Sequence, residues 1–364
     1  MVARFIFCGG GTGGHLFPGI AIATAIRKKA PDSAILFVGT HRGLEEAVLP
    51  AYGFDFRPVK SAGFKNLGLM KKLKALAILP LGILEGLGMM RTFKPNVVIG
   101  LGSYSALPVM LAGILKRVKR VIQEQNSIPG LTNRLLAPFA HRIFVSFEST
   151  LARFPRGKTL FTGNPVREGL CAGRKETVPN ETFHLLLLGG SLGAHFINTL
   201  AAATLPDLLN RYPGLRVVLQ TGTRDLEAAR KVFEPFGDRV SIEAFINDMN
   251  GVYRWADFVV ARAGATTLAE LAVCGLPALL IPFPHAANDH QMENARAFAY
   301  RGAALLAPQG DMTAEVFVRE LANLIESPEN LKDMSRRMKT LGHPEAAETI
   351  ASHLLSLAAE EGVS

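Results

Sequence analysis

The sequence predicts an α/β protein of two Rossmann-like domains, each a parallel sheet with helices on both faces, the two facing each other across a cleft. Three observations predict it. Two glycine-rich turns stand about half a chain apart, Gly9-Gly10-Gly11-Thr12-Gly13-Gly14-His15 and Gly189-Gly190-Ser191-Leu192-Gly193-Ala194-His195, each between an apolar run and a helical pattern. Short apolar runs alternate with helical periodicity through both halves, the signature of a parallel sheet covered by helices. The segments that follow the second strand of each half also echo each other, Phe37–Glu45 against Gln220–Glu227. A length of 364 residues suits two domains.

In the first half the apolar runs place strands at Ala3–Cys8, Ala34–Val38, Asn96–Gly100, Arg120–Glu124 and Arg142–Ser146. Helices fill most of the gaps, with Pro18, Pro129 and Pro138 as starts or breaks. Thr162-Gly163-Asn164-Pro165 reads as a linker turn. It sets the boundary near Phe161–Arg167, giving domains 1–162 and 163–344. The second half places strands at His184–Leu188, Leu215–Gln220, Ser241–Phe245, Phe258–Ala261 and Ala278–Pro282. The tail Pro344–Gly362 has the composition of a helix, which packs either on its own domain or back on the first; periodicity does not choose between them.

Hydrophobic residues form 48% of the chain, enough for two cores. A net charge of +9 and a pI near 9.6 call for an acidic partner: a phosphorylated substrate, an anionic membrane or nucleic acid. No Lys/Arg run interleaved with aromatics marks a nucleic-acid surface. Cys8, Cys171 and Cys274 are scattered without metal spacing. Two of them lie in apolar surroundings, which predicts buried free thiols and a reducing compartment. Met1 leads almost directly into the first strand, unlike a signal peptide. Leu73–Met90 is the most apolar segment, but Lys74, Pro80 and Glu85 make it a poor membrane span. These features predict a soluble or peripheral protein.

A strand that ends in glycines and feeds a helix aims unpaired N–H groups and a positive dipole end at one spot, which suits a phosphate. Gly9–Gly14 contains Gly-x-Gly-x-x-Gly, but the second strand ends Val38-Gly39-Thr40-His41-Arg42 without the carboxylate a dinucleotide ribose needs. NAD is disfavoured; NADP, with Arg42 on its extra phosphate, is a minor alternative. His15 stands at a helix N-terminus, where the dipole favours neutral imidazole, suited to a general base or to capping the turn. His195 holds the matching place in the second half.

Gly100–Ala106 is a third glycine-rich turn, and Gln123-Glu124-Gln125-Asn126 sets a polar cluster at a strand's C-terminal end, where ligands bind. Ala261–Glu270 is more specific. Gly264 turns, Ala265, Thr266 and Thr267 open a helix that can cradle phosphate, and Glu270 one turn on can take two ribose hydroxyls. His285–Asn294 carries sugar-binding candidates in Asp289, His290 and Gln291; His285 and His290 are five apart and share no helix face, against a metal. Phe64–Arg91 mixes lysines with leucines, as a surface docking on anionic lipid does, or a core helix with a basic outer face.

These motifs together resemble the glycosyltransferase family 28 enzymes of bacterial cell-wall synthesis. The resemblance runs from Gly10–His15 through Glu124-Gln125-Asn126, Pro129–Asn133, Gly163–Arg167, Gly189–Ala194 and Arg262–Thr267 to Asp289–Ala295. It implies a GT-B fold and an inverting transfer without metal or cofactor. N-acetylglucosamine would pass from UDP-N-acetylglucosamine to the muramyl 4-hydroxyl of the undecaprenyl-pyrophosphoryl-muramyl-pentapeptide lipid I, giving lipid II. It implies UDP held by Arg167, Ser191, Ala265, Thr266, Thr267 and Glu270, with uracil read by the backbone of Ile246. The sugar would lie on Asn126, Gln291 and the first loop (Thr12, Gly13, Gly14). The acceptor would meet Gly13, Gly14 and Tyr104, with His15 as the base. A peripheral place on the cytoplasmic face of the inner membrane follows from the same resemblance.

Two departures stand out. The third loop reads Gly102-Ser103-Tyr104-Ser105-Ala106-Leu107-Pro108 where the family usually has Gly-Gly-Tyr-x-Ser-Gly-Pro, and Gln123 replaces the usual His before Glu-Gln-Asn. Lipid galactosyltransferases of related fold are the nearest enzymatic alternative. An NADP reductase and a non-catalytic sugar-nucleotide sensor are the alternatives from other classes.

Overall fold

A computed structural model describes residues 2–41, 43–62, 69–174, 182–190 and 193–360, with the side chains of 69–76 outside that description. The chain divides into two units: Met1–Glu168 with His343–Ser364, and Gly169–Gly342.

The first unit is a parallel sheet of β1 (Arg4–Cys8), β2 (Ala34–Gly39), β3 (Asp55–Pro58), β4 (Val97–Gly100), β5 (Lys119–Glu124), β6 (Arg142–Val145) and β7 (Thr159–Phe161). Their order is β3-β2-β1-β4-β5-β6-β7. Phe5 on β1 is flanked by Ile35 and Val97, so β1 is central. Successive side chains of a strand point to opposite faces, and β1 feeds two cores. Phe5 and Phe7 pack with Leu16 and Ile20 of the helix Gly13–Lys29. Ile6 and Cys8 pack with Val109 and Met110 of the helix Ala106–Leu115. The last helix, Ala346–Ala359, completes the first of these cores with Ile350, Ala351 and Leu354, all fully buried. Lys119 Nζ donates to the Leu357 carbonyl at 2.8 Å, satisfying an acceptor at that helix's end.

The second unit repeats the plan with β8 (Phe183–Leu188), β9 (Leu215–Gln220), β10 (Val240–Glu243), β11 (Phe258–Ala261), β12 (Ala278–Leu280) and β13 (Ala304–Leu306). The order is β10-β9-β8-β11-β12-β13, all parallel. Leu185 and Leu187 pack on Ile197 and Leu205 of the helix His195–Arg211 and on Phe317 of the helix Ala314–Glu326.

In each sheet the chain first builds outward from a central strand and then crosses to its other side. The reversal lies between β1 and β4 and between β8 and β11. Ligands of open α/β sheets bind beyond the strand ends at such switch points. Both glycine-rich turns that carry the Gly-Gly signature lie there.

The structure departs from the sequence reading in four respects. β3, β7 and β13 were not anticipated, and all three are sheet edges. β10 starts at Val240 and ends at Glu243, short of Phe245. Pro18 lies inside its helix, not at its start. Two buried free thiols were expected and one is found: Cys171 and Cys274 form a disulfide, with Cα atoms 5.2 Å apart across a sequence separation of 103, which runs against the reducing compartment read from the sequence. That proximity is a product of the fold and leaves no spacing signal. Cys8 alone is a buried free thiol, pushed by desolvation far above the ordinary thiol range.

Candidate active site

The first glycine turn is organised mostly from below. Gly9 has φ +103°, and a Cβ there would lie 2.2 Å from the Gly102 carbonyl oxygen, so only glycine lets the first and third turns touch. Gly9 N–H donates to Val38 O at 3.1 Å, Gly10 N–H to Ser103 Oγ at 3.3 Å, and Gly11 N–H to Glu45 Oε1 at 2.9 Å. These three donors are therefore spent inside the protein. Beyond them comes the helix's first turn, with Thr12 and Gly14 exposed and Gly13 half-buried.

Glu45 was not found from sequence. It is 1% exposed, and Cβ atoms on Gly10 or Gly39 would sit 2.2 Å from its Oε1, so the glycines make room for its carboxylate. A carboxylate thus does stand at the end of β2, where the sequence showed none at Val38–Arg42. The turn itself uses it, and no ribose does so. Arg42 lies outside the described residues.

His15 is half-buried, with its ring against Gly102: a Cβ there would be 3.1 Å from His15 Cε1. Its Nδ1 is 3.0 Å from Gln125 Oε1. The polar cluster after β5 faces inward more than the sequence suggests, because Gln123, Glu124 and Gln125 are all at most 1% exposed. Glu124 holds the next loop: its carboxylate accepts from Asn126 N–H at 3.0 Å, Gly130 N–H at 3.0 Å and Asn133 Nδ2 at 2.9 Å. Asn126 is half-buried beside it. Tyr104 is 42% exposed on the third turn, where Ser103 takes φ +60°. Arg167 belongs to the first unit, its guanidinium 5.6 Å from the Phe17 ring centroid.

The second unit carries the remaining candidates. A Cβ on Gly193 would lie 2.0 Å from the Thr221 carbonyl oxygen, which requires glycine in that turn; Ser191 lies outside the described residues. His195 resembles His15 in sequence but differs in setting. Its side chain is 65% exposed and its Nδ1 is 3.1 Å from Asp225. Asp225 also accepts from Asn198 Nδ2 at 2.8 Å. Burial raises the Asp225 carboxyl, but the Asn198 and His195 bonds outweigh it and hold it below the usual range.

Beyond β11 the helix Ala265–Cys274 opens with Gly264 as N-cap, and Ala265, Thr266 and Thr267 form its first turn. Asn294, fully buried, donates to Ala263 O at 3.2 Å and ties this turn to the helix His290–Ala299. Arg262 does not face that turn: its Nη1 donates to the Ile281 and Pro282 carbonyls at 3.0 and 3.1 Å. Glu270 is 7% exposed and accepts from Tyr253 Oη at 2.9 Å, so Tyr253 orients it. Gln291 Oε1 accepts from Phe283 N–H at 2.9 Å, which turns its amide nitrogen away from the backbone. Ile246 is buried in the loop after β10. Among the described residues no three His, Cys, Asp or Glu converge as metal ligands.

On the first unit's helix Leu69–Phe93, Gly82 and Gly86 let it press on the helix Ala106–Leu115, while Leu81 and Leu84 are 48% and 64% exposed. Phe64, Lys65 and Leu67 lie outside the described residues. No helix among the described residues is long and apolar enough to cross a membrane.

Two parallel-sheet units, each with a glycine turn at its switch point, are the architecture of the GT-B class. The model of the glycosyltransferase family 28 N-terminal domain matches residues 5–145, and that of the family's C-terminal domain residues 184–350. The chain belongs to glycosyltransferase family 28. It is 40% identical over 357 residues, 97% of this chain and 98% of the relative, to the UDP-N-acetylglucosamine–N-acetylmuramyl-(pentapeptide) pyrophosphoryl-undecaprenol N-acetylglucosamine transferase of Geobacter metallireducens. The Myxococcus xanthus protein of the same name is 42% identical over 97% of this chain and 93% of its own. Among solved structures, Acinetobacter baumannii MurG superposes with a TM-score of 0.76 at 27% identity, covering 97% of this chain and 99% of that one. A Neisseria meningitidis UDP-GlcNAc 2-epimerase bound to UDP-GlcNAc shares the fold at TM-score 0.69 and 16% identity.

Proposed function

We propose that this chain transfers N-acetylglucosamine from UDP-N-acetylglucosamine to the muramyl 4-hydroxyl of lipid I, with inversion, giving lipid II for peptidoglycan. The observation that carries this reading is identity of about 40% over nearly the full length of transferases bearing that name.

His15 Nε2 takes the proton of the acceptor hydroxyl as its oxygen attacks the anomeric carbon and UDP departs from the opposite face. The leaving diphosphate gathers negative charge. The first turn at Ala265, Thr266 and Thr267, with Arg167 and Ser191, offsets it by dipole and charge, with no metal or cofactor. Glu270, held by Tyr253, binds the ribose, and the backbone of Ile246 reads uracil. Asn126, Gln291 and Thr12, Gly13 and Gly14 hold the donor sugar. Gly13, Gly14 and Tyr104 receive the acceptor. The basic, apolar helix with exposed Leu81 and Leu84 rests on anionic lipid at the cytoplasmic face of the inner membrane, as a peripheral contact.

The test is transfer of labelled N-acetylglucosamine from its UDP donor to a soluble lipid I analogue with chelator present. Labelled product is expected. Tight UDP binding without product overturns the acceptor and keeps the donor site; neither product nor UDP binding overturns the whole reading.

A further inference from the structure

The amide pair Gln123–Gln125 fixes which nitrogen of His15 carries its proton. The Leu101 carbonyl can only accept, and it lies 2.8 Å from Gln125 Nε2. The opposite amide orientation would set two carbonyl oxygens against each other. The second proton of Gln125 Nε2 goes to Gln123 Oε1. Gln123 is oriented in turn, because its Nε2 donates to Asn164 Oδ1 at 3.1 Å and Ser146 Oγ at 3.3 Å, and Ser146 donates to the Glu124 carbonyl at 2.9 Å. Both donors of Gln125 are therefore committed, and its Oε1 faces His15 Nδ1 at 3.0 Å. An amide oxygen only accepts, so Nδ1 must hold a proton whether the ring is neutral or charged. Gly102 leaves the ring its space, since a Cβ there would come within 3.1 Å of Cε1 and 3.2 Å of Nδ1.

We propose that Gln125 is a positioning residue, itself oriented by Gln123, that keeps His15 in the Nδ1–H tautomer with the lone pair on Nε2. The catalytic value of this rests on His15 being the base; the tautomer itself does not. A neutral amide suits the task. It accepts from Nδ1 and leaves the lone pair on Nε2. His195 likewise presents Nδ1 to an acceptor, but that acceptor is the Asp225 carboxylate and not an amide. Gln123 stands where the family usually has His, so this chain reaches the outcome with two amides in series.

The experiment is long-range proton–nitrogen correlation NMR on the full chain labelled with 15N-histidine. The sequence has nine histidines, and His15 is assigned by its loss in His15→Gln. The wild type is expected to show His15 with protonated Nδ1 and bare Nε2. Gln125→Met is expected to move it toward the Nε2–H form that free imidazole prefers. A wild-type spectrum with Nε2–H overturns the proposal without any variant, and so does a Gln125→Met spectrum identical to the wild type's. Turnover is read beside it and is expected to fall on the order of tenfold to a hundredfold in Gln125→Met, with donor affinity unchanged. A moved tautomer with normal turnover upholds the hold of Gln125 on the ring and removes His15 as the base.

Discussion

At the scale of single residues, Glu45 decides how the first glycine turn can work. Its buried carboxylate takes the Gly11 N–H, and three glycines leave it space. Glu45→Ala strands that donor and opens a void, at a cost of about 1–3 kcal/mol in denaturant unfolding. Turnover is expected to fall with it, while UDP affinity measured by calorimetry stays nearly the same, because every UDP contact proposed above except Arg167 belongs to the other unit. A loss of UDP affinity equal to the loss of turnover would refute that division. Glu45→Gln keeps an acceptor for Gly11 and is expected to cost less. Sequence alone showed the glycines and not the acid that explains them. The only trace was the echo of Gly39–Glu45 in Gly222–Glu227, where Asp225 likewise reaches back from the second strand's end to the glycine turn. Of the Gln123–Asn126 cluster, Gln123, Glu124 and Gln125 face inward where the sequence suggested a ligand, since hydrogen-bonding side chains at a strand's end can serve the protein's own backbone as well as a ligand.

At the scale of elements, legibility followed position in the sheet. Interior strands are covered on both faces and read as continuous apolar runs: Phe5-Ile6-Phe7 and Leu185–Leu188 are unmistakable. The missed strands are edges. Asp55-Phe56-Arg57-Pro58 alternates exposed and half-buried residues, and Thr159–Phe161 and Ala304–Leu306 are three residues each, too short to carry a period. The start of the helix His195–Arg211 depends on charge. Because the Asp225 carboxyl is held below its unfolded value, its contribution to stability is full above pH about 4 and is lost as pH falls through the folded value. Asp225→Asn is expected to lower stability at neutral pH and to flatten the wild type's acid-side decline, as read from unfolding midpoints between neutral and acid pH. An unchanged acid limb would remove Asp225 as its cause.

At the scale of the whole molecule, the first unit is closed by the chain's far end. Ile350, Ala351 and Leu354 fill a core whose other members begin at Phe5. Deleting 343–364 is expected to expose that core and abolish transfer, while Gly169–Gly342 keeps its own unfolding transition in calorimetry and a UDP affinity weakened by the loss of Arg167's unit. Loss of both functions together would mean that the units do not fold separately. Composition could supply the tail as a helix but not its destination, because an amphipathic stripe is equally at home on either sheet.

The return of the tail has a consequence during synthesis. Domains ordinarily fold in the order in which they emerge from the ribosome. Here every residue of Gly169–Gly342 is made before the first unit possesses its final helix. The second unit can therefore reach its native state on the nascent chain while the first, although begun earlier, waits for the helix that completes the core of Phe5, Leu16 and Ile20. Translation order and folding order are reversed, and the interval before that helix is made is when this chain most needs a chaperone's shelter.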